Sequence, residues 1–307
     1  MKIKKRVKLA CKKLRRKLPS YSETACLLLG QRMSREVAAL PANEDFRRVG
    51  FKVFSQWDED GIIQYLISHL PIRNRTFIEF GVEDYEESNT RFLLFKDHWQ
   101  GMVLDACDED IRFIQGDRLY WEFDLQAKRA WITRENINSL VECAGFGEDV
   151  GLLSIDIDGN EFWIWEAIRS IRPYIVVVEY NSIFGLEPVA VPYKEDFDKL
   201  SAHYSGLYYG CSLTALHHLA QTKGYILLGI NSWGHNAFFV RADIASDFRG
   251  LTPAEVYVPS KYRDSRDEAG RLNFLRERDR IKLVKGLPVT NVVTREHVLL
   301  RENHDAG

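Results

Sequence analysis

The sequence predicts an α/β protein: an open, doubly wound, mostly parallel sheet with an antiparallel edge strand, extended by helices at both ends. Three observations carry this. TFIEFG, GLLSIDIDG and YIVVVEYN are short, nearly continuous apolar runs, as in strands buried on both faces of a parallel sheet. They alternate with segments of helical periodicity, the pattern of a doubly wound fold. The last two runs, YILLGINS and NAFFVR, are separated only by Trp233 to His235, a link too short for a parallel crossover.

Of the 307 residues, positions 1–18 (MKIKKRVKLACKKLRRKL) carry ten Lys or Arg and no acid. The other 289 hold 32 basic and 44 acidic side chains, a balance of −12. Ile3, Val7, Ala10, Cys11, Leu14 and Leu18 recur at helical spacing. This reads as a basic amphipathic helix suited to an anionic membrane surface, or as a solvated basic tail. Residues 19–50 read as a helical extension.

In SQWDEDGIIQYLISHL, early acids and apolar Ile62, Ile63, Leu66, Ile67 and Leu70 predict a helix from Glu59 to His69, closed by Pro71. It belongs to a domain over residues 51–245. There TFIEFG is the first strand, SNTRFLLFKDHW a helix capped by Ser88 or Asn89, and GMVLDA the second strand. LYWEFD reads as a short third strand, and TRENINSLVECAG as a helix ending at glycine. FWIWEAIRSI is the crossover helix between GLLSIDIDG and YIVVVEYN, and SLTALHHLAQTKG precedes the final strand pair. Residues 246–307, rich in Arg, Asp and Glu, read as a charged, mainly helical appendage.

In such a sheet ligands bind in the crevice at the carboxyl ends of the strands. Glu79 and Gly81 end the first strand, but positions 83, 84 and 86 are acids and no GxGxxG follows. Acids there repel a diphosphate and suit a cofactor carrying a cation, such as the sulfonium and ammonium of S-adenosylmethionine; the bland alternative is a helix-capping loop. Asp105 ends the second strand, where a carboxylate accepts from ribose hydroxyls; Asp108 competes for that role. Asp156 and Asp158, two apart, would share one face of an extended backbone and repel. With Glu179 and Asn181 at the next strand end they would hold Mg²⁺ or Mn²⁺, or bind a substrate hydroxyl and take its proton. A turn at Asp158-Gly159 and a structural Glu179 are the competing reading. His235 lies in the turn of the last strand pair. The long loops around NSIFGLEPVAVPYKEDF and HYSGLYYGCS suggest a lid or binding surface, with Tyr193, Tyr204, Tyr208 and Tyr209 able to stack on sugar rings.

Several classes are disfavoured. No Walker, GxSxG, HExxH or zinc spacing occurs, and the five cysteines are scattered without CxxC. The acidic body argues against nucleic acid as a partner. No apolar run is long enough to span a bilayer, and the start is charged where a secretory signal would be apolar. A cytoplasmic protein, with peripheral contact to the inner membrane surface through residues 1–18, is the expectation.

The succession SQWDEDGI, FIEFGVEDYEESNTRFLL, SIDIDGNEFWIWEAI, VVVEYNSIFG, VPY, YYGCSLTALHHLA and NAFFVR resembles bacterial proteins of the class I S-adenosylmethionine-dependent methyltransferase fold. These are Rossmann-like proteins allied to the FkbM-type methyltransferases, typically associated with lipopolysaccharide or other surface-polysaccharide biosynthesis. The likeness covers Phe54 to Arg241. It implies that Glu79 and Gly81 form the first-strand cofactor motif, that Asp105 is the ribose acid, that Gln56 lies near the cofactor and that Asp156 is the acid of the fourth strand. One departure stands out: Tyr85 replaces the later glycine of the E/DxGxxxG pattern.

The expected function is an O-methyltransferase acting on a hydroxyl of a glycan or sugar-linked precursor. Asp156 or Asp158 would be the base, with His235 behind them, and Glu179, Asn181, Tyr193 and Tyr209 would contact substrate. Two rivals remain. One is an inactive scaffold of the same fold held at the membrane surface, the other a metal-dependent sugar-modifying transferase using Asp156, Asp158 and Glu179.

Overall fold

The computed structural model of the chain describes residues 21–302. The basic segment 1–18 therefore lies outside the described residues. The predicted extension contains α1 (Tyr21–Ala38) and the single turn α2 (Phe46–Val49). The helix expected from Glu59 to His69 is α3 (Glu59–His69).

Seven strands form the main sheet in the order β3-β2-β1-β4-β5-β8-β7. They are β1 (Thr76–Phe80), β2 (Gln100–Asp105), β3 (Leu125–Arg129), β4 (Leu152–Ile155), β5 (Ile175–Glu179), β7 (Tyr225–Ile230) and β8 (Asn236–Arg241). The first five pair in parallel, whereas β8 runs antiparallel to both β5 and β7. The antiparallel pair at the edge is as the three-residue link requires. The reversed strand is β8, and the outermost strand β7 runs with the others.

Side chains alternate across the sheet with a period of two, so each strand feeds two cores. Ile78, Phe80, Met102, Leu104, Leu153, Ile155, Val176 and Val178 belong to one. Phe77, Val103, Leu152, Ile175 and Val177 belong to the other. Burial on both faces explains why these strands read as unbroken apolar runs.

Two elements differ from expectation. LYWEFD does not form a strand: Leu119–Glu122 is one helical turn, with Leu119 buried and Trp121 74% exposed. The third strand is LQAKR, the stretch that follows immediately, at the sheet's other edge. An edge strand needs only one apolar face, and Leu125 and Ala127 provide it. The C-terminal segment is also not mainly helical. It holds the helices Pro253–Val256 and Glu277–Val284, then β9 (Pro288–Asn291) and β10 (His297–Leu299). With β6 (Val189–Ala190) from the long loop after β5, these strands make a second sheet, β10-β9-β6. Loop and C-terminus share a small core in which Phe184, Val191, Leu207 and Tyr208 meet Ile281, Val284 and Leu300. The tail thus packs against the loop insertion as one unit. Among the described residues no helix is long and apolar enough to cross a membrane.

Candidate active site

Register decides which side chains meet. Phe80 pairs with Leu104 and with Ile155, Ile155 with Val178, and Glu179 with Asn236. One residue further along each parallel strand, Asp105, Gly81, Asp156 and Glu179 form a row across the carboxyl edge, at the point where strand order reverses between β1 and β4. A cleft of about 360 Å³ opens there.

Gly81 has φ +75°, and a Cβ on it would lie 1.6 Å from the Asp156 carbonyl oxygen. Only glycine lets the turns after β1 and β4 come this close. At the end of that turn Tyr85 also takes a left-handed conformation, φ 61°. It keeps the backbone path of the missing glycine while its ring is fully buried, its hydroxyl 3.0 Å from Thr90 Oγ1. The large side chain therefore points into the core and is not among the groups lining the cleft.

Glu79 is spent on the turn itself. Its Oε1 accepts from the Asn89 backbone N–H (2.8 Å), and its Oε2 from the Thr90 N–H (3.1 Å) and Thr90 hydroxyl (2.5 Å). The N-cap of the following helix is Thr90 rather than Ser88 or Asn89, and Ser88 Oγ accepts from the Arg91 N–H. Together they satisfy the start of α4 (Arg91–Asp97). Burial raises the Glu79 pKa against these bonds. Glu79 borders only a side annex of about 160 Å³ that shares Gln56, Gly81, Glu83 and Asp156 with the main cleft. Asp105 ties the first two turns together, accepting from Glu83 N–H (2.9 Å) and Cys107 N–H (2.7 Å). Burial raises it as well. Each of its oxygens keeps acceptor capacity for a ligand, because a carboxylate offers about four lone-pair sites.

Asp156, Asp158 and Glu179 present oxygens that all lie within 4.8 Å of one another. Asp156 is pushed up to about 7, first by burial and then by the charges of Asp158 and Glu161. Glu179 is also raised well above the usual carboxylate range, by burial and then by the charge of Asp156. Its Oε1 accepts from the Tyr209 hydroxyl at 3.3 Å, while Oε2 is buried without a partner. Asp158 sits at φ 59° in the turn and ion-pairs with Lys199, whose ammonium also lies 4.9 Å from the Tyr209 ring centroid. Burial opposes that ammonium, yet the carboxylates of Asp158, Glu179 and Asp156 outweigh it and keep it charged.

His235 reaches the same cleft. Its Nδ1 is 4.0 Å from Glu179 Oε1 and its Nε2 2.8 Å from the Ser260 hydroxyl. Burial, then Arg280 and Lys199, lower it to about 3, so the ring is neutral. Tyr262 packs edge-on against it, 4.5 Å between centroids, and accepts a hydrogen bond from the Gln56 amide.

Gln56, Gly81, Asp105, Asp156, Asp158, Glu179, Tyr209 and His235 thus converge on one cleft. Asn181 and Tyr193 do not. The Asn181 amide donates to the carbonyls of Leu207 (2.9 Å) and Tyr209 (3.0 Å), a clip holding the loop that carries Tyr209. Tyr193 donates to Glu135 (2.8 Å), away from the lining. Sequence reasoning missed Lys199, Ser260, Tyr262 and Asp264. Lys199 is one of many loop charges; the mixed run YVPSKYRDS, unlike the helical patterns elsewhere, was the only signal for the others.

The cleft is strongly acidic. Glu83, Asp105, Asp156, Asp158, Glu179 and Asp264 line it against one cation, Lys199. It attracts positive charge and repels phosphate.

No protein-family model matches the chain, and no curated protein matches it. Among solved structures, it is similar to the N-terminal domain of EvdMO1 with S-adenosylhomocysteine bound: 13% identity over 68% of this chain and 93% of that one, TM-score 0.40. It is also similar to an O-methyltransferase, so described provisionally, from Klebsiella pneumoniae, with 14% identity over 70% and 87% and TM-score 0.37. For the CurJ carbon methyltransferase the identity is 11% over 60% of this chain, TM-score 0.38, and the chain spans about half (52%) of that protein. Likenesses this distant carry no argument about activity.

Proposed function

We propose that the protein is an S-adenosylmethionine-dependent O-methyltransferase acting on a hydroxyl of a glycan or sugar-linked precursor in surface-polysaccharide biosynthesis. The observation that carries this reading is the row at the switch point: Gly81 and Asp105 on one side of the cleft, Asp156 and Glu179 on the other. The residues fit the cofactor. Apolar Leu104, Ala106 and Ile132 flank Asp105, Asp105 retains acceptor capacity for ribose hydroxyls, and the surplus of acids favours a cationic group. S-adenosylmethionine, when bound, supplies an electrophilic methyl group on a sulfonium.

The chain's own residues then have three tasks. Asp156 takes the hydroxyl proton, and its raised pKa suits a base working near neutral pH. The phenols of Tyr209 and Tyr262 are both raised by burial, so they remain O–H donors able to orient an acceptor oxygen. The C-terminal strap carrying Ser260 and Tyr262 borders the cleft, fixing His235 and Gln56 and limiting water. Positioning of this kind is most of what methyl transfer asks of a protein. The expected result is transfer of label from methyl-labelled S-adenosylmethionine to neutral oligosaccharides bearing free hydroxyls; an unlabelled product across neutral, amino and acidic glycans would remove the reading. Residues 1–18 would keep the enzyme at the cytoplasmic face of an anionic membrane.

A second reading, a metal-dependent transferase, is favoured by the unpartnered Glu179 Oε2 within a cluster of three carboxylates. Asp156, Asp158 and Glu179 would hold Mg²⁺ or Mn²⁺, with Lys199 competing for Asp158. No change in melting temperature with either ion, and none in activity with chelator, would discard it.

A further inference from the structure

Glu161 opens the crossover helix Glu161–Ala167 behind the turn that carries Asp156 and Asp158. It is 1% exposed and is not among the groups lining the cleft. Its Oε1 accepts from the backbone N–H groups of Ile157 (3.1 Å) and Gly159 (2.7 Å), the two amides that bracket Asp158. Asp158 needs such a clamp, because at φ 59° it holds a left-handed conformation that disfavours any residue with a side chain. Gly159 passes the constraint on: its carbonyl accepts from the Gly210 N–H at 3.1 Å, next to Tyr209. Gly210 leaves room for the same carboxylate, since a Cβ there would lie 3.2 Å from Glu161 Oε2. One side chain thus touches both the turn of the proposed base and the loop of Tyr209.

The second oxygen, Oε2, is buried and has no hydrogen-bond partner. A clamp needs only the first, and an uncharged side chain would serve as well. The second leaves a carboxylate buried without compensation, a cost that a merely structural residue has no reason to bear. We propose that Glu161 is a positioning residue for Asp156, holding the turn that aims it and setting a negative charge behind it. The inference rests on the reading of Asp156 as the base. The groups facing Glu161 are Asp156 and Asp158 from the turn, Glu179 from β5 and Cys211 from the loop after it, with Lys199 across Asp158. Burial pushes Glu161 itself up to about 7, and its charge adds to those that raise Asp156.

The test is thermal melting of the full chain between about pH 4 and about pH 8, for wild type, Asp156→Asn, Glu161→Gln and the double variant, beside Glu161→Ala. Glutamine keeps one oxygen for both turn N–H groups, whereas Glu161→Ala leaves them without an acceptor and should melt at least about 3 °C below Glu161→Gln. Because Glu161 titrates as well, the Asp156→Asn effect is compared within each background. With Glu161 present, the gain from Asp156→Asn grows as pH rises through about 7. In the Glu161→Gln background it should be complete about one pH unit lower, because the anion behind Asp156 is gone. A purely structural Glu161 would leave that range where it is. The same range in both backgrounds, no Asp156→Asn gain at all, or a Glu161→Gln variant that melts as low as Glu161→Ala would overturn the proposal. No arm uses cofactor or acceptor, so a protein that fails to bind S-adenosylhomocysteine would lose the methyl-transfer reading separately.

Discussion

Asp156→Asn is expected to lower methyl transfer by about 10²–10⁴-fold, the range of a lost general base, while leaving S-adenosylhomocysteine affinity within about threefold. The substitution is close in volume and removes only the proton acceptor. It also has a signature in stability that a bystander would lack. The folded protein holds Asp156 protonated up to about 7, whereas the unfolded chain releases that proton near 3.8. Between those values the folded state binds the extra proton, so Asp156 stabilises the fold at low pH and this contribution is lost as pH rises through about 7. Relative to wild type, the asparagine variant should therefore gain stability across that window, just where wild-type turnover rises. Thermal melts of both proteins between about pH 5 and about pH 8 read the difference. Parallel curves together with full activity would remove Asp156 from the role of base.

Gly81→Ala is expected to cost about 2–5 kcal/mol. A left-handed backbone costs a non-glycine residue about 1–2 kcal/mol, and overpacking typically adds about 1–3 kcal/mol. Here the added Cβ meets the carbonyl of Asp156 at 1.6 Å, so the turns after β1 and β4 must separate. The melting temperature should fall by roughly 5–10 °C, and activity should fall with it, because the displaced backbone is that of the base. A variant that melts and turns over like wild type would mean the turns are not held together as described.

Much of this was legible in the residues, for identifiable reasons. Strands buried on both faces leave unbroken apolar runs, so β1, β2, β4 and β5 were read correctly, and with them the residues that end each strand. Asp105, Asp156 and Glu179 followed from that alone. Edge strands leave less: in β3 only Leu125 and Ala127 are apolar and buried, while Gln126 and Lys128 on the opposite face donate to the carbonyls of Ala144 and Cys143, so the run does not read as apolar. Residues that reach the site from far along the chain left almost nothing. Tyr262 meets Gln56 across 206 positions, and only packing of the C-terminal segment against the loop after β5 brings them together. Asn181 shows the opposite error. Its place beside Glu179 in sequence suggested the crevice, but its amide is consumed by two loop carbonyls. Glu79 lies between the cases, a strand-end acid whose oxygens the adjacent turn already occupies.

The most direct test of the cofactor reading is isothermal titration of S-adenosylmethionine and S-adenosylhomocysteine into wild-type protein and the Asp105→Asn variant. Binding on the order of micromolar, weakened by about tenfold or more in a variant that still melts like wild type, is the predicted result. No heat of binding for either compound at concentrations on the order of millimolar would contradict it, and the acidic row at the strand ends would then serve another ligand.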